Sequence, residues 1–423
     1  MAIFRSIRLL YWGISLFALL VTGCAVREKN VEHPIPRLYG AEDPQFARSM
    51  GALLAPDVLA GNQVEELLNG DEIFPAMLEA IHAAKKTITF ETFIYWSGSI
   101  GSEFANALAE RARAGVKVHV LLDWLGSNKM DASLLALMGK AGVQVRKYHE
   151  PRWYRLDRLN NRTHRKLLVI DGRQGFTGGV GIGDEWTGHA QDPEHWRDSH
   201  YRVHGPVVAQ MQAAFMDNWI KVSGDVLHGA EYFPPLEPVG VGKAHVFSSS
   251  PSGGSESMRL LYLLAITAAS HSIHLSSPYF IPDELAVNAL TDAVKRGATV
   301  QIITIGKNTD SQTVRHAARA RWGALLEAGV EIYEYQPTLY HCKVMIVDGL
   351  WVTVGSTNFD PRSFRLNDEA NLNYYDADFA RRQIEIFQQD LAHSRQITLQ
   401  EWKDRPLAEK LWERAASLLG SQF

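Results

Sequence analysis

Two short stretches of the chain place a histidine, a lysine and an aspartate at one spacing. "HRKLLVIDGRQGFTGG" begins at His164 and "HCKVMIVDGLWVTVGS" begins at His341, 177 positions later (341 − 164). Both read H-x-K-x4-D-x6-G, with His164, Lys166, Asp171 and Gly178 in the first and His341, Lys343, Asp348 and Gly355 in the second. The apolar runs that follow, "LLVI" and "VMIV", suit central strands buried on both faces. Period two along a strand puts each His and Lys on one face. A lysine buried there without an anion is costly, and an anionic ligand at the strand's end removes the cost. A tetrahedral phosphate fits that role. Two ammonium groups, with Ser356 and Asn358 as further donors, can hold its oxygens and stabilise charge that builds in a transition state. One neutral imidazole can attack phosphorus, and a second, protonated, can deliver a proton to the leaving alkoxide. In-line displacement needs the two on opposite sides of the phosphorus. Two copies of one motif facing each other across a pseudo-twofold axis provide that.

The surrounding elements repeat as well. Strand-like and helix-like patterns alternate: "GDEIFPAMLEAIHAAKK" reads as a helix, "TITFETFIYW" as a strand, "SEFANALAERARAGVK" as an amphipathic helix and "VHVLLDWL" as a strand. The order then recurs. "AIHAAKKTITF" resembles "AITAASHSIHL", "RARAGVKVHVLL" aligns Gly115 with Gly297 of "AVKRGATVQIIT", and "KAGVQVRKY" aligns Gly142 with Gly329 of "EAGVEIYEY". The expected fold class is α/β: two similar domains related by a pseudo-twofold axis, each a mixed β-sheet flanked by helices. The expected boundaries are a signal segment over 1–24, a linker over 25–60, a first domain over 61–235, a second over 236–400 and a C-terminal helix over 401–423.

The chain has 423 residues, 46% hydrophobic and 21% charged, with a formal net charge of −4. That is a globular composition with ample core. The acidic balance argues against a dedicated nucleic-acid binder. Two cysteines are too few for a disulfide framework, and Cys342, between His341 and Lys343, reads as a small buried hydrophobe. At the N-terminus Arg5 and Arg8 precede a 13-residue apolar run over 9–21 and then "VTGC", ending at Cys24. The run is short for a membrane span and fits a secretory signal. The arginines of "RWYRLDRLNNRTHRK" suggest a basic rim for anionic headgroups. His189, His195, His200 and His204 lack a metal-ligand spacing, and "HYRVH" reads as a strand; no metal or other cofactor is expected. In the C-terminal segment Leu407, Leu411, Ala415 and Leu418 recur at helical spacing, which favours packing on the protein body.

The twin motifs resemble the HKD motifs of the phospholipase D superfamily. The continuation "GSTNFDPRSFRLNDEANL", with "GKNTDSQTVRHAARARWGALLEAGVEIYEYQPTLYHCKVMIVD" before it, resembles the bacterial cardiolipin synthase subgroup, over about residues 60–400. The resemblance implies that His164 is the nucleophile and His341 the general acid and then base. It implies that Lys166 and Lys343 bind phosphate oxygens, with Ser356, Asn358 and the Gly178–Gly179 turn assisting. Asp171 and Asp348 belong to the motif but are expected to support local structure. A carboxylate against each His is also implied. "WRDSH" offers Asp198 and "RLNDEANL" offers Glu369, with the pairing left open. The implied chemistry is metal-independent transfer of a phosphatidyl group, with phosphatidylglycerol as donor and a second phospholipid such as phosphatidylglycerol or phosphatidylethanolamine, another alcohol, or water as acceptor. "VTGC" resembles a lipobox, which implies lipid attachment at Cys24 and a place at a membrane surface of the cell envelope. The first motif departs from the pattern: Gly179 stands where the second has Ser356, and Gly181 where it has Asn358.

Overall fold

In the computed structural model, residues 31–150, 160–250 and 257–418 are described. Their strands, in chain order, are β1 (Leu59–Leu68), β2 (Thr87–Thr92), β3 (Lys117–Asp123), β4 (Gln144–Tyr148), β5 (Arg162–Thr163), β6 (Leu167–Ile170), β7 (Gln174–Gly178) and β8 (Ser199–His204) in the first half. The second half holds β9 (Gly242–Ser249), β10 (Ser272–Ser276), β11 (Thr299–Ile305), β12 (Glu331–Tyr335), β13 (Val344–Val347), β14 (Trp351–Gly355), β15 (Asn367–Tyr375) and β16 (Ser394–Ile397). Helices over Ser99–Arg113 and Glu284–Lys295 occupy equivalent places. Each is followed by a glycine at positive φ, Gly115 at 90° and Gly297 at 98°, where the chain reverses into β3 or β11 and a side chain would be strained.

The strands form one mixed sheet in the order β16-β12-β11-β10-β13-β14-β15-β9-β1-β8-β7-β6-β2-β3-β4. Apart from β16 the order reads the same from either end, so the pseudo-twofold passes between β9 and β1. β10, β11 and β12 are parallel, as are β2, β3 and β4. β13 then joins β10 antiparallel, as β6 joins β2. The motif strands β6 and β13 are apolar and buried throughout, as strands inside a covered sheet must be.

The seam between the halves is a shared core rather than a cleft. Leu167, Val169, Tyr201 and Val203 from the first half pack in one cluster with Val344, Ile346, Val352, Val354 and Leu372 from the second. The span 25–60, expected to be a linker, instead carries a helix over Pro44–Leu54 and the start of β1. Asp43 caps that helix and Pro44 opens it. Its Phe46 is buried edge-on to Trp351 and Tyr375, so this N-terminal helix completes the core of the second half. The C-terminal segment folds as two helices, Leu399–Asp404 and Leu407–Leu418. Among the described residues no helix is long and apolar enough to cross a membrane. Cys24 and the segment before it lie outside the described residues.

Candidate active site

Each motif His and Lys stands just before its strand, in extended chain that crosses to the other half. β5 pairs in parallel with the start of β15, Arg162 opposite Asn367 and Thr163 opposite Asp368. The mirrored bridge joins Tyr340 to Arg197. The next amide on each crossing chain is the histidine's own. His164 N donates to Asp368 O at 2.8 Å and His341 N to Arg197 O at 2.8 Å. The residue after each of those carbonyls is a carboxylate, Glu369 or Asp198. The register therefore delivers each carboxylate to the histidine of the opposite half. His164 Nδ1 lies 3.0 Å from both Glu369 oxygens, and His341 Nδ1 lies 2.7 Å from Asp198 Oδ2. An ionised carboxylate only accepts, so each Nδ1 donates and each Nε2 keeps its lone pair.

Burial sets the charge states. It pushes the His164 imidazolium down to about 4, and Lys166 and Lys343 push the same way against the pull of Glu369. Burial and Lys343 also lower His341, against Asp198. Burial alone raises Glu369 and Asp198, but the paired histidine and the nearby lysines outweigh it and both stay low. The resting site thus holds two neutral imidazoles on two carboxylates. Lys166 is pushed down to about 7 by burial and then by Lys343, and Lys343 to about 8 by burial, partly offset by Asp198. Lys166 Nζ donates to His164 O at 2.8 Å and Lys343 Nζ to His341 O at 2.6 Å, leaving further N–H donors on each ammonium.

Asp171 and Asp348 lie away from this centre. Asp171 accepts from the backbone N–H groups of Lys85, Lys86 and Thr87, and Asp348 from those of Ser270, His271 and Ser272. Each pins the turn after its motif strand, at φ 52° and 54°, to the start of the neighbouring strand. Their carboxylates act as struts between the two strands.

The glycine-rich turns differ between the halves. In the second, Ser356 Oγ donates to Glu369 and accepts from Ala370 N, so it holds the carboxylate that holds His164. Asn358 is buried beside it, its Oδ1 without a hydrogen-bond partner among the described residues. In the first, a Cβ on Gly179 would fall 2.2 Å from Asp198 Oδ1, and one on Gly181 would fall 2.7 Å from Ile94 Cβ and 3.2 Å from the Trp186 ring. Asp198 fills the space at Gly179, Ile94 and the Trp186 ring that at Gly181, and Trp186 Nε1 donates to Asp198 Oδ2 at 3.0 Å. The indole thus supplies the donor that Ser356 supplies in the other half. Backbone amides do not fill the gap at Gly179, whose N–H is taken by Ser199 O. Gly178, at φ 155°, lies against His200 and has no room for a side chain.

Both histidines open into one cavity of about 450 Å³, lined by Phe93, Trp96, Lys129, Lys166, Trp186, Trp196, Tyr279 and Asp310 among others. His164 meets the edge of Phe93 with ring centroids 5.3 Å apart, while His341 lies against both Trp186 and Trp196, at 5.5 and 5.9 Å. Sequence reasoning missed Trp186, Trp196, Lys129, Tyr279 and Asp310. The missing hydroxyl at Gly179 was the available signal for Trp186, since a donor to Asp198 had to come from elsewhere. Of the expected basic rim, 151–159 lies outside the described residues, and Arg162 and Arg165 are buried. Arg165 donates to Ala214 O and Ser249 O, one in each half, and so bolts them together. Cys342 is buried near Ser199, and burial pushes its thiol up to about 12.

A sequence model of the family described as "Cardiolipin synthase, PLD-like domain" matches residues 77–219 and 262–391, one segment per motif. The chain belongs to this family. Relatives in it include "Cardiolipin synthase 2" of Bacillus anthracis, 34% identical over 378 residues, covering 89% of this chain and 73% of that one. "Cardiolipin synthase A" of Pseudomonas syringae pv. syringae (strain B728a) is 35% identical over 378 residues, covering 88% and 77%. Among solved structures, the phosphatidylserine synthase of Haemophilus influenzae Rd KW20 superposes with a TM-score of 0.70 at 16% identity, covering 90% of this chain and all of that one. The polyphosphate kinase of Porphyromonas gingivalis superposes with a TM-score of 0.54 at 14% identity, covering 93% and 57%. These two likenesses establish the fold. As a member of the PLD-like cardiolipin synthase family, the protein is an enzyme.

Proposed function

We propose that the protein is a phosphatidyltransferase that forms cardiolipin from phosphatidylglycerol and a second phospholipid through a phosphohistidine. The observation that carries this reading is the pair of crossed His–carboxylate couples opening into one cavity beside two buried lysines. His164 Nε2 attacks the phosphorus of the donor, the bond to the headgroup oxygen breaks, and His341 gives that oxygen its proton. Neutral His164 is ready for attack, because burial holds it unprotonated at working pH. His341 must be charged for its role. Asp198 and the arriving phosphate favour that cation, against the burial that lowers it. Lys166 and Lys343 regain full charge on the phosphate oxygens. In the second half-reaction His341 takes the proton of the acceptor hydroxyl, that oxygen attacks phosphorus, and the bond to His164 breaks. Asp310, which accepts from Tyr279 Oη at 2.5 Å, is an anion on the wall of an anion-binding cavity. Its place suits hydroxyl groups or an ammonium of a headgroup, not the phosphate.

The test is a product assay with phosphatidylglycerol vesicles, with and without phosphatidylethanolamine and with a chelator present, beside His164→Ala and His341→Ala. Cardiolipin from the wild type and from neither variant supports the reading. Phosphatidic acid alone makes water the acceptor and the enzyme a hydrolase. No lipid product from the wild type rejects a lipid substrate and turns the search to nucleic-acid phosphodiesters.

A further inference from the structure

The helix Leu407–Leu418 is docked with its polar side inward. Glu413 is 1% exposed and Ala416 6%, whereas Leu407, Leu411 and Trp412 are 77%, 68% and 70% exposed. Helices of water-soluble surfaces have the opposite arrangement. Sequence periodicity predicts that the leucine stripe packs on the body, and the structure overturns this for a specific reason. Glu413 is clamped between Arg319 Nε at 3.2 Å and Arg405 Nε at 2.6 Å, with Arg319 also holding Glu334. A buried carboxylate with two guanidinium partners fixes which face turns in, because turning it out would leave buried charges unpaired. The preceding turn is anchored as well. Trp402 Nε1 donates to Arg319 O at 2.8 Å, and the Arg405 guanidinium lies 3.9 Å from the Trp402 ring. The outward stripe is thus held rigidly and is not a frayed end.

We propose that Leu407, Leu411 and Trp412 seat this helix in the interface of a phospholipid bilayer. This rests on the lipid-substrate reading above. Two leucines and a tryptophan on one side of a short helix match the shallow apolar side of an interfacial helix, with the indole at headgroup depth. The exposed Arg414, three residues from Leu411, lies at the edge of the stripe, where anionic headgroups would meet it. A second copy of the chain is the poorer occupant. The stripe offers roughly a few hundred Å², whereas a stable protein interface buries about 1,200–2,000 Å². The position also serves the reaction. Arg319 ends the helix Gln312–Arg319, which begins two residues after Asp310 on the cavity wall. One short helix, about 12 Å long, therefore ties the lipid-seated stripe to the wall of the active-site cavity.

The test uses the full-length chain and vesicles of phosphatidylglycerol and phosphatidylethanolamine in which a fraction of the acyl chains is brominated to quench nearby tryptophans. The wild type is expected to lose more fluorescence than Trp412→Phe. A Leu411→Glu/Trp412→Glu variant is expected to turn over vesicles about tenfold more slowly or worse, the scale of withdrawing one leucine-sized apolar surface from lipid, with turnover of a water-soluble short-chain lipid unchanged. Equal quenching of wild type and Trp412→Phe overturns the proposal. So does equal vesicle turnover by the double variant. Concentration-dependent dimers that Trp412→Phe abolishes, with equal quenching, hand the stripe to a second copy and overturn it too. Quenching does not require turnover, so an enzyme inactive on every lipid yet quenched through Trp412 would sink the lipid-substrate reading and leave the bilayer seat standing.

Discussion

The half-site around His164 and the half-site around His341 share their backbone and differ in what steadies the carboxylate. Glu369 is held by the Ser356 hydroxyl, inside the glycine turn of its own motif. Asp198 is held by the Trp186 indole, from a short turn beyond the glycines of its motif. One ring meets a single phenylalanine edge, and the other is flanked by two indoles. Phe93 and Trp186 each meet their histidine at a steep angle, 69° and 74°, and Trp196 lies tilted at 44° to His341. Two copies of one motif thus have unlike surroundings, a hydroxyl beside one carboxylate and an indole beside the other. The first motif, without side chains at 179 and 181, has its carboxylate's donor in the Trp186 indole instead.

The largest test of this asymmetry is removal of the rings. His164→Ala and His341→Ala should each lower kcat/KM on phosphatidylglycerol by roughly 10⁴-fold or more. A donor with a p-nitrophenolate leaving group needs no general acid. With it, His341→Ala should accumulate a phospho-enzyme that survives denaturation at alkaline pH and is lost in acid, as a P–N bond is, and His164→Ala should not; the reverse pattern would exchange the two roles. Next come the carboxylates. Glu369→Gln and Asp198→Asn should cost roughly 100- to 10,000-fold, and Asp198→Asn alone should be largely rescued by the activated donor, because its loss falls on the acid.

The lysines belong to both halves equally and respond to pH together. Their folded-state values are depressed to about 7 and 8, so in the free enzyme they lose protons as pH rises through that range. A bound anion restores the charge, so binding takes up protons there and weakens as pH rises. Affinity for vanadate, followed by inhibition, should fall between pH 7 and 9 by up to about tenfold per pH unit for each lysine involved. A flat profile would mean that the ammonium groups do not reach the anion.

A smaller effect separates the two steadying donors. Trp186→Phe removes a hydrogen bond from Asp198, makes that carboxylate more basic and raises the affinity of His341 for its proton. The alkaline limb of the kcat/KM profile should move up. Ser356→Ala does the same to Glu369 and His164, so the acid limb should move up instead. Each variant should cost several-fold in rate, on the order of one hydrogen bond. Movement of the same limb in both would collapse the assigned difference. The smallest effect on chemistry is expected from the shared struts. Asp171→Ala and Asp348→Ala should each lose about 1–3 kcal/mol of stability in denaturant titrations, while the folded fraction keeps its kcat/KM.

Much of this site was legible because its signals are local. Strand and motif spacing located His164, Lys166, His341 and Lys343, while Asp198 and Glu369 came only from what the family resemblance implies. Their pairing was not legible, since it depends on Thr163 meeting Asp368 and Arg197 meeting Tyr340, contacts between residues far apart in the chain. Trp186 was hidden because its role follows from a hydrogen bond to Asp198 that only the folded turn reveals. The helix Pro44–Leu54 announced itself through Asp43 and Pro44, but the surrounding prolines masked the signal. For the C-terminal helix, periodicity found the stripe but could not say which way it faced. That was decided by Arg319 and Arg405, which no helical pattern encodes.

The crossed couples have a consequence for how this enzyme can move and how it is assembled. Many two-lobed enzymes admit substrate by swinging apart, but here that motion would pull each imidazole off its carboxylate and unmake the catalyst. Entry must therefore come from loops and side chains at the rim, with the seam kept shut. The same exchange is what a symmetric dimer of two one-motif chains would make, each lending a carboxylate to the other. Severed between β8 and β9, the chain should yield two inert pieces, and activity would return only when they find each other again.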